Sequence, residues 1–204
     1  MCSSDLKLGK ISFTGSTRTA KKVAEACAAN MTPVVLECGG KDAVLVDRDA
    51  DIKKAAEMTL WHAMSNAGQS CIGAERVYVH RAVAEKFKEE IVKHANELKP
   101  GFGDGAKYGP ATMPSQLKVI QSHIDDAAKR GGKFLLGSIK SVAGGYVEPV
   151  IMADVPEDSL AVTEETFGPT LVINTVANMD EAVDLANATN YGLGAAVWSK
   201  RNGK

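Results

Sequence analysis

Residues 66–76 read Asn-Ala-Gly-Gln-Ser-Cys-Ile-Gly-Ala-Glu-Arg, and the rest of the chain is organised around this stretch. Its cysteine, Cys71, lies among small and polar residues, with Gly68 and Gly73 close on either side. A buried structural cysteine usually has large apolar neighbours, whereas glycines let the backbone turn sharply and approach a ligand. The stretch therefore has two interpretations: a reactive thiol, or a packed thiol at the end of a helix.

Upstream of this stretch, an acidic residue ends a predicted strand. Residues 34–36 are Val-Val-Leu after a proline, which predicts a fully buried parallel strand that ends at Glu37. Gly39 and Gly40 then allow the chain to turn away. Ligand chemistry in α/β proteins is found at the carboxyl ends of strands, so Glu37 is a candidate for it. The alternative is a solvated acid at the edge of a loop.

Still further upstream, a strand, a small-residue turn and a helix follow one another. Residues 10–13 predict the strand, the turn contains Gly15 and Ser16, and Ala20 to Cys27 recur at helical spacing. Such a turn directs helix N–H groups and the positive end of the helix dipole at an anion. One glycine is a weak phosphate-binding signal, and an ordinary capped turn is the alternative.

Downstream, residues 163–169 read Thr-Glu-Glu-Thr-Phe-Gly-Pro. Two acids, an aromatic residue and Gly-Pro before a predicted strand indicate a shaped loop. The alternative is a turn packed by Phe167 with a solvated acidic pair.

The hydrophobic pattern along the chain alternates between strands and helices, which predicts an α/β fold. Further strands are predicted at 43–46, 76–80, 134–136, 147–151, 170–176 and 194–198. Further helices are predicted at 52–63, 83–98, 116–130 and 179–188. Parallel pairing also predicts that the strand at 34–36 lies near the Gly15 turn.

Composition excludes several functional classes. The chain has 204 residues, a formal net charge of −1 and 5% aromatic residues, which argues against nucleic acid and anionic membranes as partners. No apolar run reaches the roughly 18 residues that a membrane helix needs. The cysteines have no zinc-ligand spacing, so no metal site is predicted. Free thiols in a chain of this size favour the cytoplasm.

Taken together, the motifs resemble the aldehyde dehydrogenase superfamily. Phe-Thr-Gly-Ser-Thr at 13–17 is similar to its pyrophosphate-binding turn, and Leu-Glu-Cys-Gly-Gly-Lys at 36–41 to its general-base motif, with Cys38 where leucine is usual. Gly-Gln-Ser-Cys at 68–71 resembles its nucleophile motif, and Glu-Glu-Thr-Phe-Gly-Pro at 164–169 its nicotinamide-ribose motif. Their order and the spacing between Glu37 and Cys71 are also the family's.

The resemblance implies oxidation of a small-molecule aldehyde to a carboxylic acid with NAD or NADP. Cys71 would attack to form a thiohemiacetal, which becomes a thioester, and Glu37 would activate the water that hydrolyses it. Glu165 and Phe167 would hold the nicotinamide ribose, and Gly15 and Ser16 the pyrophosphate.

The resemblance also implies a domain organisation. We expect residues 1–38 to be the last part of a Rossmann-like cofactor domain, with 1–6 a non-native leader, and 39–204 to be a catalytic domain truncated at its C-terminal end. The complete protein would be a homo-oligomer, and the fragment inactive alone. Two alternatives remain: a thiol hydrolase, pairing Cys71 with a histidine (His62, His80, His94 or His123), and a non-catalytic structural fragment.

Overall fold

The computed structural model describes residues 8–201; the predicted leader at 1–6 lies outside them. The chain divides into two compact units, Met1–Gly39 and Gly40–Lys204. No helix within residues 8–201 is long and apolar enough to cross a membrane.

The described part of the first unit is a strand–helix–strand arrangement: β1 (Ile11–Thr14), α1 (Thr17–Ala28) and β2 (Val34–Glu37). The two strands pair in parallel. The Ser16 hydroxyl caps α1 by accepting from the Thr19 N–H at 3.3 Å, so the predicted capped turn is confirmed.

The prediction that the strand at 34–36 is fully buried is wrong. Residues along β2 alternate between half-buried and exposed, and Val35 is exposed. This period of two is the pattern of a strand with one covered face. Helix α1 contacts both strands of this sheet, and one helix can cover only one face of a two-stranded sheet.

The second unit is built on a six-stranded sheet in the order β10-β3-β4-β9-β8-β5. All neighbours in it are parallel except β5 and β8. The predicted α/β class is thus confirmed. Its strands are β3 (Asp42–Val46), β4 (Ala74–His80), β5 (Lys133–Leu136), β8 (Val150–Ala153), β9 (Thr170–Val176) and β10 (Ala195–Trp198). A hairpin of β6 (Val142–Ala143) and β7 (Tyr146–Val147) lies outside it.

Helices cover both faces of this sheet. Since alternate residues of a strand point to opposite sides, residues of one strand pack against different helices. Val44, Val77 and Ile173 pack with α2 and α3, whereas Val150 and Val172 pack with α4 and α5. Helix α6 covers the second face near β3 and β4. The helices are α2 (Ile52–Met64), α3 (Ala84–Ala95), α4 (Pro114–Lys129), α5 (Leu160–Thr163) and α6 (Met179–Ala186).

Two sequence predictions in this unit need correction. The strand expected at 147–151 is two strands, β7 and β8, separated at Glu148 and Pro149, because proline has no N–H for a ladder. The strand predicted at 76–80 begins two residues earlier, and β4 is buried along nearly its whole length. Arg76 is buried there because its guanidinium donates to the Leu185 and Ala186 carbonyls at the end of α6.

One carboxylate ties α4 to α5. Asp126 accepts hydrogen bonds from the Ser159 hydroxyl (2.7 Å), the Leu160 N–H (2.8 Å) and the Arg130 guanidinium (2.9 Å). Partial burial acts to raise the pKa of Asp126, but these donors outweigh it and hold the pKa at about 2.

We expect Asp126→Asn to lower the free energy of unfolding by about 1–2 kcal/mol at pH 7, because charge-assisted hydrogen bonds are lost. The Asp126 contribution is present above the unfolded pKa of about 3.9 and is lost as pH falls toward 2. Urea unfolding at pH 7 and pH 3 checks this. The assignment would be contradicted if the difference in unfolding free energy between variant and wild type were as large at pH 3 as at pH 7. Asp125→Asn, on the same helix, is the control.

Candidate active site

The segments that precede four adjacent strands meet at one end of the six-stranded sheet, where these strands begin. Strands β10, β3, β4 and β9 are neighbours in that order and parallel, so their amino ends lie side by side. Just before these strands come Leu193, Lys41, Cys71 and Glu165, respectively. In α/β sheets ligands are usually bound at the carboxyl ends of the strands. The candidates in this sheet lie instead at the amino ends.

Cys71 lies on a tightly built turn between α2 and β4. Asn66 and Ala67 have positive φ angles of 54° and 58°, a region that residues other than glycine rarely occupy. The Asn66 side-chain amide donates to the Gln69 carbonyl at 3.0 Å, and the Gln69 side-chain amide donates to the Asn66 carbonyl at 3.1 Å. Cys71 is a half-buried free thiol. The Cys71 thiol therefore lies on a turn whose backbone is fixed by two side-chain hydrogen bonds.

Gly40 connects the cysteine turn to the acidic loop at 163–169. Its N–H donates to Glu165 Oε1 at 3.1 Å. A Cβ at Gly40 would collide with the Cys71 carbonyl oxygen and crowd the Asp42 side chain. Only glycine therefore fits here, and its backbone lies between the candidate nucleophile and the candidate ribose-binding acid.

A second glycine brings the same two segments into direct contact. Gly68 has a φ of 67°, and a Cβ on it would collide with the Gly168 carbonyl and approach the Pro169 nitrogen. The Gln69 side chain adds an anchor, because its oxygen accepts from the Thr112 N–H at 2.8 Å. The cysteine turn is therefore held on one side by the loop at 163–169 and on another by the segment before α4.

The loop at 163–169 donates backbone hydrogen bonds to a buried carboxylate. Glu75 is 5% exposed and accepts the Thr166 N–H at 2.8 Å and the Phe167 N–H at 2.8 Å. Lys41, whose side chain is fully buried, donates to Glu75 at 2.5 Å and to the Thr166 hydroxyl at 3.1 Å. We call Lys41, Glu75, Thr166 and His123 the buried network.

His123, on α4, completes the buried network from the other side. Its Nδ1 lies 3.0 Å from the Thr166 hydroxyl. Burial and the charge of Lys41 lower the pKa of His123 to about 4, so the ring is neutral at pH 7. Gln116, also on α4, donates to the Thr166 carbonyl at 2.7 Å.

Burial also affects the charged groups beside the thiol. It raises the pKa of Glu165, and the hydrogen bond from Gly40 acts in the opposite direction. It lowers the pKa of Lys41, while the Glu75 carboxylate acts to raise it. It also raises the pKa of Asp42, which accepts from the Gly194 N–H at 3.0 Å.

The remaining predicted site residues lie in the first unit. The Gly15 N–H donates to the Glu37 carbonyl at 3.0 Å, and Thr14 pairs with Glu37 in the parallel register. The predicted proximity of this turn to the strand at 34–36 is therefore confirmed. Ser16 caps α1, and the Glu37 residue is exposed at the end of β2. The pairing of Glu37 with Cys71 stays a prediction.

None of the hydrogen bonds among the described residues joins a histidine to the Cys71 thiol. His123 is bonded to Thr166, and the His80 ring accepts from the Ala82 N–H at 3.1 Å. Within the same part of the chain, no group of three or more His, Cys, Asp or Glu residues could hold a metal ion.

Sequence reasoning missed Lys41 and Glu75 as functional candidates, and it considered His123 only as a possible partner of Cys71. A signal for Glu75 was present in the sequence. Glu75 and Arg76 open a strand whose next residues are Val-Tyr-Val, and charged residues at such a position need buried partners. The identity of those partners depends on which strands are neighbours, and the sequence does not state that directly.

We expect Gly40→Ala to disturb the cysteine turn, because its Cβ cannot coexist with the Cys71 carbonyl. The free energy of unfolding should fall by about 1–3 kcal/mol, the usual cost of overpacking, and alkylation of Cys71 should change rate. Thermal unfolding and iodoacetamide labelling with peptide mapping measure both. Gly109→Ala, where a Cβ meets open space, is the control. Equal behaviour of the two variants would contradict the assigned contact.

The neutral state of His123 predicts acid sensitivity. An unfolded histidine has a pKa of about 6.5, so this contribution to stability is complete above pH 6.5 and is lost as pH falls toward 4. We expect it to remove about 2–3 kcal/mol by pH 4.5. Urea unfolding at pH 7.5 and pH 4.5 should show a smaller pH difference for His123→Gln. The control variant His94→Gln should keep the wild-type difference; a similar flattening there would count against this assignment.

The model for the Aldehyde dehydrogenase family matches residues 2–204. The chloroplastic betaine aldehyde dehydrogenase of Amaranthus hypochondriacus is 39% identical over 196 residues, which are 94% of this chain and 39% of that protein. The D-glyceraldehyde dehydrogenase (NADP(+)) of Picrophilus torridus is 34% identical over 200 residues, which are 95% of this chain and 41% of that protein.

A solved structure gives the same result. The aldehyde dehydrogenase from Brucella melitensis biovar abortus 2308 superposes with a TM-score of 0.92 at 34% identity, over 98% of this chain and 42% of that chain. The chain thus spans about two fifths of the length of these relatives. The resemblance found in the motifs is confirmed, and the chain belongs to the aldehyde dehydrogenase family.

Proposed function

We propose that this chain carries the nucleophile and the nicotinamide-ribose site of an NAD- or NADP-dependent aldehyde dehydrogenase. The observation that carries the proposal is Gly40, whose N–H binds Glu165 and whose backbone lies against the Cys71 carbonyl. This contact puts the candidate nucleophile and the candidate ribose-binding acid on either side of one residue. An oxidation that starts from a thiol adduct needs that proximity.

Cys71 is the proposed nucleophile. Its sulfur attacks the aldehyde carbon and forms a C–S bond, and the carbonyl oxygen becomes the oxyanion of a thiohemiacetal. The backbone N–H of Cys71 is the proposed donor to that oxyanion. The tied backbone of the turn supports this role, because a preorganised donor does not have to reorient during the reaction.

Four residues of this chain are proposed to contact the ribose and the pyrophosphate of a nicotinamide dinucleotide. The Glu165 carboxylate has one oxygen bound to Gly40 and a second oxygen to accept from a ribose hydroxyl. Phe167 is half-buried beside it. Gly15 and Ser16, at the amino end of the 12-residue helix α1, would face the pyrophosphate. When bound, the cofactor supplies the oxidising equivalent that turns the Cys71 thiohemiacetal into a thioester.

Glu37 is the proposed general base. It would take a proton from water, whose oxygen attacks the thioester carbon, so that the C–S bond breaks and the acid product leaves. The Cys71 thiolate is regenerated. The exposure of Glu37 at the end of β2 supports a role in which its carboxylate meets water.

The complete enzyme is proposed to be a cytoplasmic homo-oligomer acting on a small aldehyde. The names of two relatives of this chain give betaine aldehyde and D-glyceraldehyde as their substrates. A thiol hydrolase is the weaker alternative, because His123 is neutral and bonded to Thr166 instead of Cys71. We also propose that the 204 residues alone do not sustain turnover, since they match about two fifths of each relative.

In a complete dehydrogenase that carries residues 8–201, we expect Cys71→Ala to abolish aldehyde oxidation and thiol labelling at the site. Glu37→Gln should slow thioester hydrolysis by about 10²-fold or more, so that an acyl-enzyme accumulates. NAD(P)H formation and intact mass spectrometry measure both effects.

Cys38→Leu is the matched control for these variants, because it removes the half-buried thiol next to Glu37 and should keep turnover. Normal turnover of Glu37→Gln would show that the base is assigned wrongly. Ester cleavage by wild type without aldehyde oxidation would instead favour the hydrolase. The 204-residue chain, assayed in parallel, should give no steady NAD(P)H formation.

A further inference from the structure

The proposed mechanism leaves one buried acid without a role. Glu75 is the second residue of β4, four positions after Cys71, and is 5% exposed. Burying a carboxylate is costly unless it is paired and hydrogen-bonded. Its two oxygens accept from Thr166 N–H, Phe167 N–H and Lys41 Nζ, so it is fully engaged. Every one of these donors except Lys41 belongs to the loop that carries Glu165.

The backbone that binds Glu75 has an unusual conformation. Phe167 has a φ of 51°, which is strained for an aromatic residue. Consecutive N–H groups next to a left-handed residue form a concave anion site, or nest. The Thr166 and Phe167 N–H groups both reach Glu75, so the carboxylate occupies such a nest. The bound anion offsets the strain that this conformation carries.

Lys41 supplies the balancing charge. Its side chain is fully buried and donates to Glu75 at 2.5 Å and to the Thr166 hydroxyl at 3.1 Å. The neighbouring cation, Arg76, is instead engaged by carbonyl groups of Lys41, Leu185 and Ala186. The residue before Lys41 is Gly40, whose N–H binds Glu165. Two consecutive residues thus hold consecutive parts of the loop.

We propose that Glu75, with Lys41 as its counterion, is a positioning residue that sets the backbone of residues 165–167 and thereby aims Glu165 and Phe167 at the nicotinamide ribose. The aiming part of this proposal rests on the proposed function. The conformational part concerns the chain alone.

An ordinary buried ion pair and a positioning pair respond differently to substitution. Removal of one partner strands the other charge and destabilises the fold in either case. Replacement of both partners by apolar residues removes the stranded charge, so an ordinary pair is fully replaceable. With a positioning pair most of the stability returns but the loop conformation does not, because no anion then accepts from the Thr166 and Phe167 N–H groups.

The experiment compares Lys41→Met, Glu75→Leu and the double variant in the 204-residue chain. Urea unfolding reports stability, and amide hydrogen exchange followed by NMR reports Thr166 and Phe167 individually. Nicotinamide mononucleotide is titrated as the probe, because it carries the nicotinamide ribose without the adenosine half. Ile91→Val, in the core at α3, is the control for a general loss of stability.

Each single variant should raise the equilibrium constant for unfolding by about 10²-fold or more, and the double variant should return it to within about 10-fold of the wild-type value. In the double variant the Thr166 and Phe167 amides should still exchange at least about 10-fold faster than in wild type. The affinity for the mononucleotide should fall by a similar factor. Ile91→Val should leave both the relative protection of these two amides and the affinity unchanged.

A double variant that keeps wild-type protection at both amides would overturn the proposal. Lost protection with unchanged mononucleotide affinity would overturn its aiming part. Absence of mononucleotide binding by wild type at millimolar concentration would instead count against the proposed ribose site, while the exchange rates would still decide whether Glu75 sets the loop.

Discussion

The arrangement of the site depends on one buried charge. Glu75 lies inside the fold, and a carboxylate there needs both a counterion and several hydrogen-bond donors. Lys41 and the N–H groups of Thr166 and Phe167 supply them. These donors come from the segments before β3 and β9, the strands on either side of β4. Satisfying one carboxylate therefore draws three separate segments of the chain together, and Cys71 lies in the same segment as the carboxylate.

Local patterns were sufficient to predict most of the architecture. The apolar faces of α2 and α3 follow from helical spacing, and Ile52, Phe87 and Ile91 are buried as their spacing predicts. The glycines around Cys71 indicated a special turn, and the structure has three positive φ angles there, at Asn66, Ala67 and Gly68, as well as close backbone contacts. The error at 147–151 was avoidable, because Pro149 could have been read as a strand break.

The buried network could not be predicted, because it depends on which strands are neighbours in the sheet. Lys41 and Glu75 become partners only because β3 and β4 are adjacent and in this register. The rule that α/β ligand sites lie at carboxyl ends directed attention to Glu37 at the end of β2. In the six-stranded sheet the candidates lie before the strands instead. The rule about carboxyl ends therefore does not locate the candidates in this sheet, and for Glu37 it stays a prediction.

Buried ion pairs contribute little net stability, so stability alone is a weak reason for Lys41 and Glu75 to be charged. Shape is a stronger reason, because Phe167, whose N–H binds Glu75, holds a left-handed conformation that is strained for an aromatic residue. Thr166 is the residue where these constraints meet. Its N–H, hydroxyl and carbonyl contact Glu75, Lys41 and His123, and Gln116, respectively. The neighbouring residues are held as well, because Glu165 accepts from the Gly40 N–H and the Phe167 N–H donates to Glu75. In the proposed mechanism, such a loop would keep the cofactor site in place while the covalent adduct at Cys71 reacts.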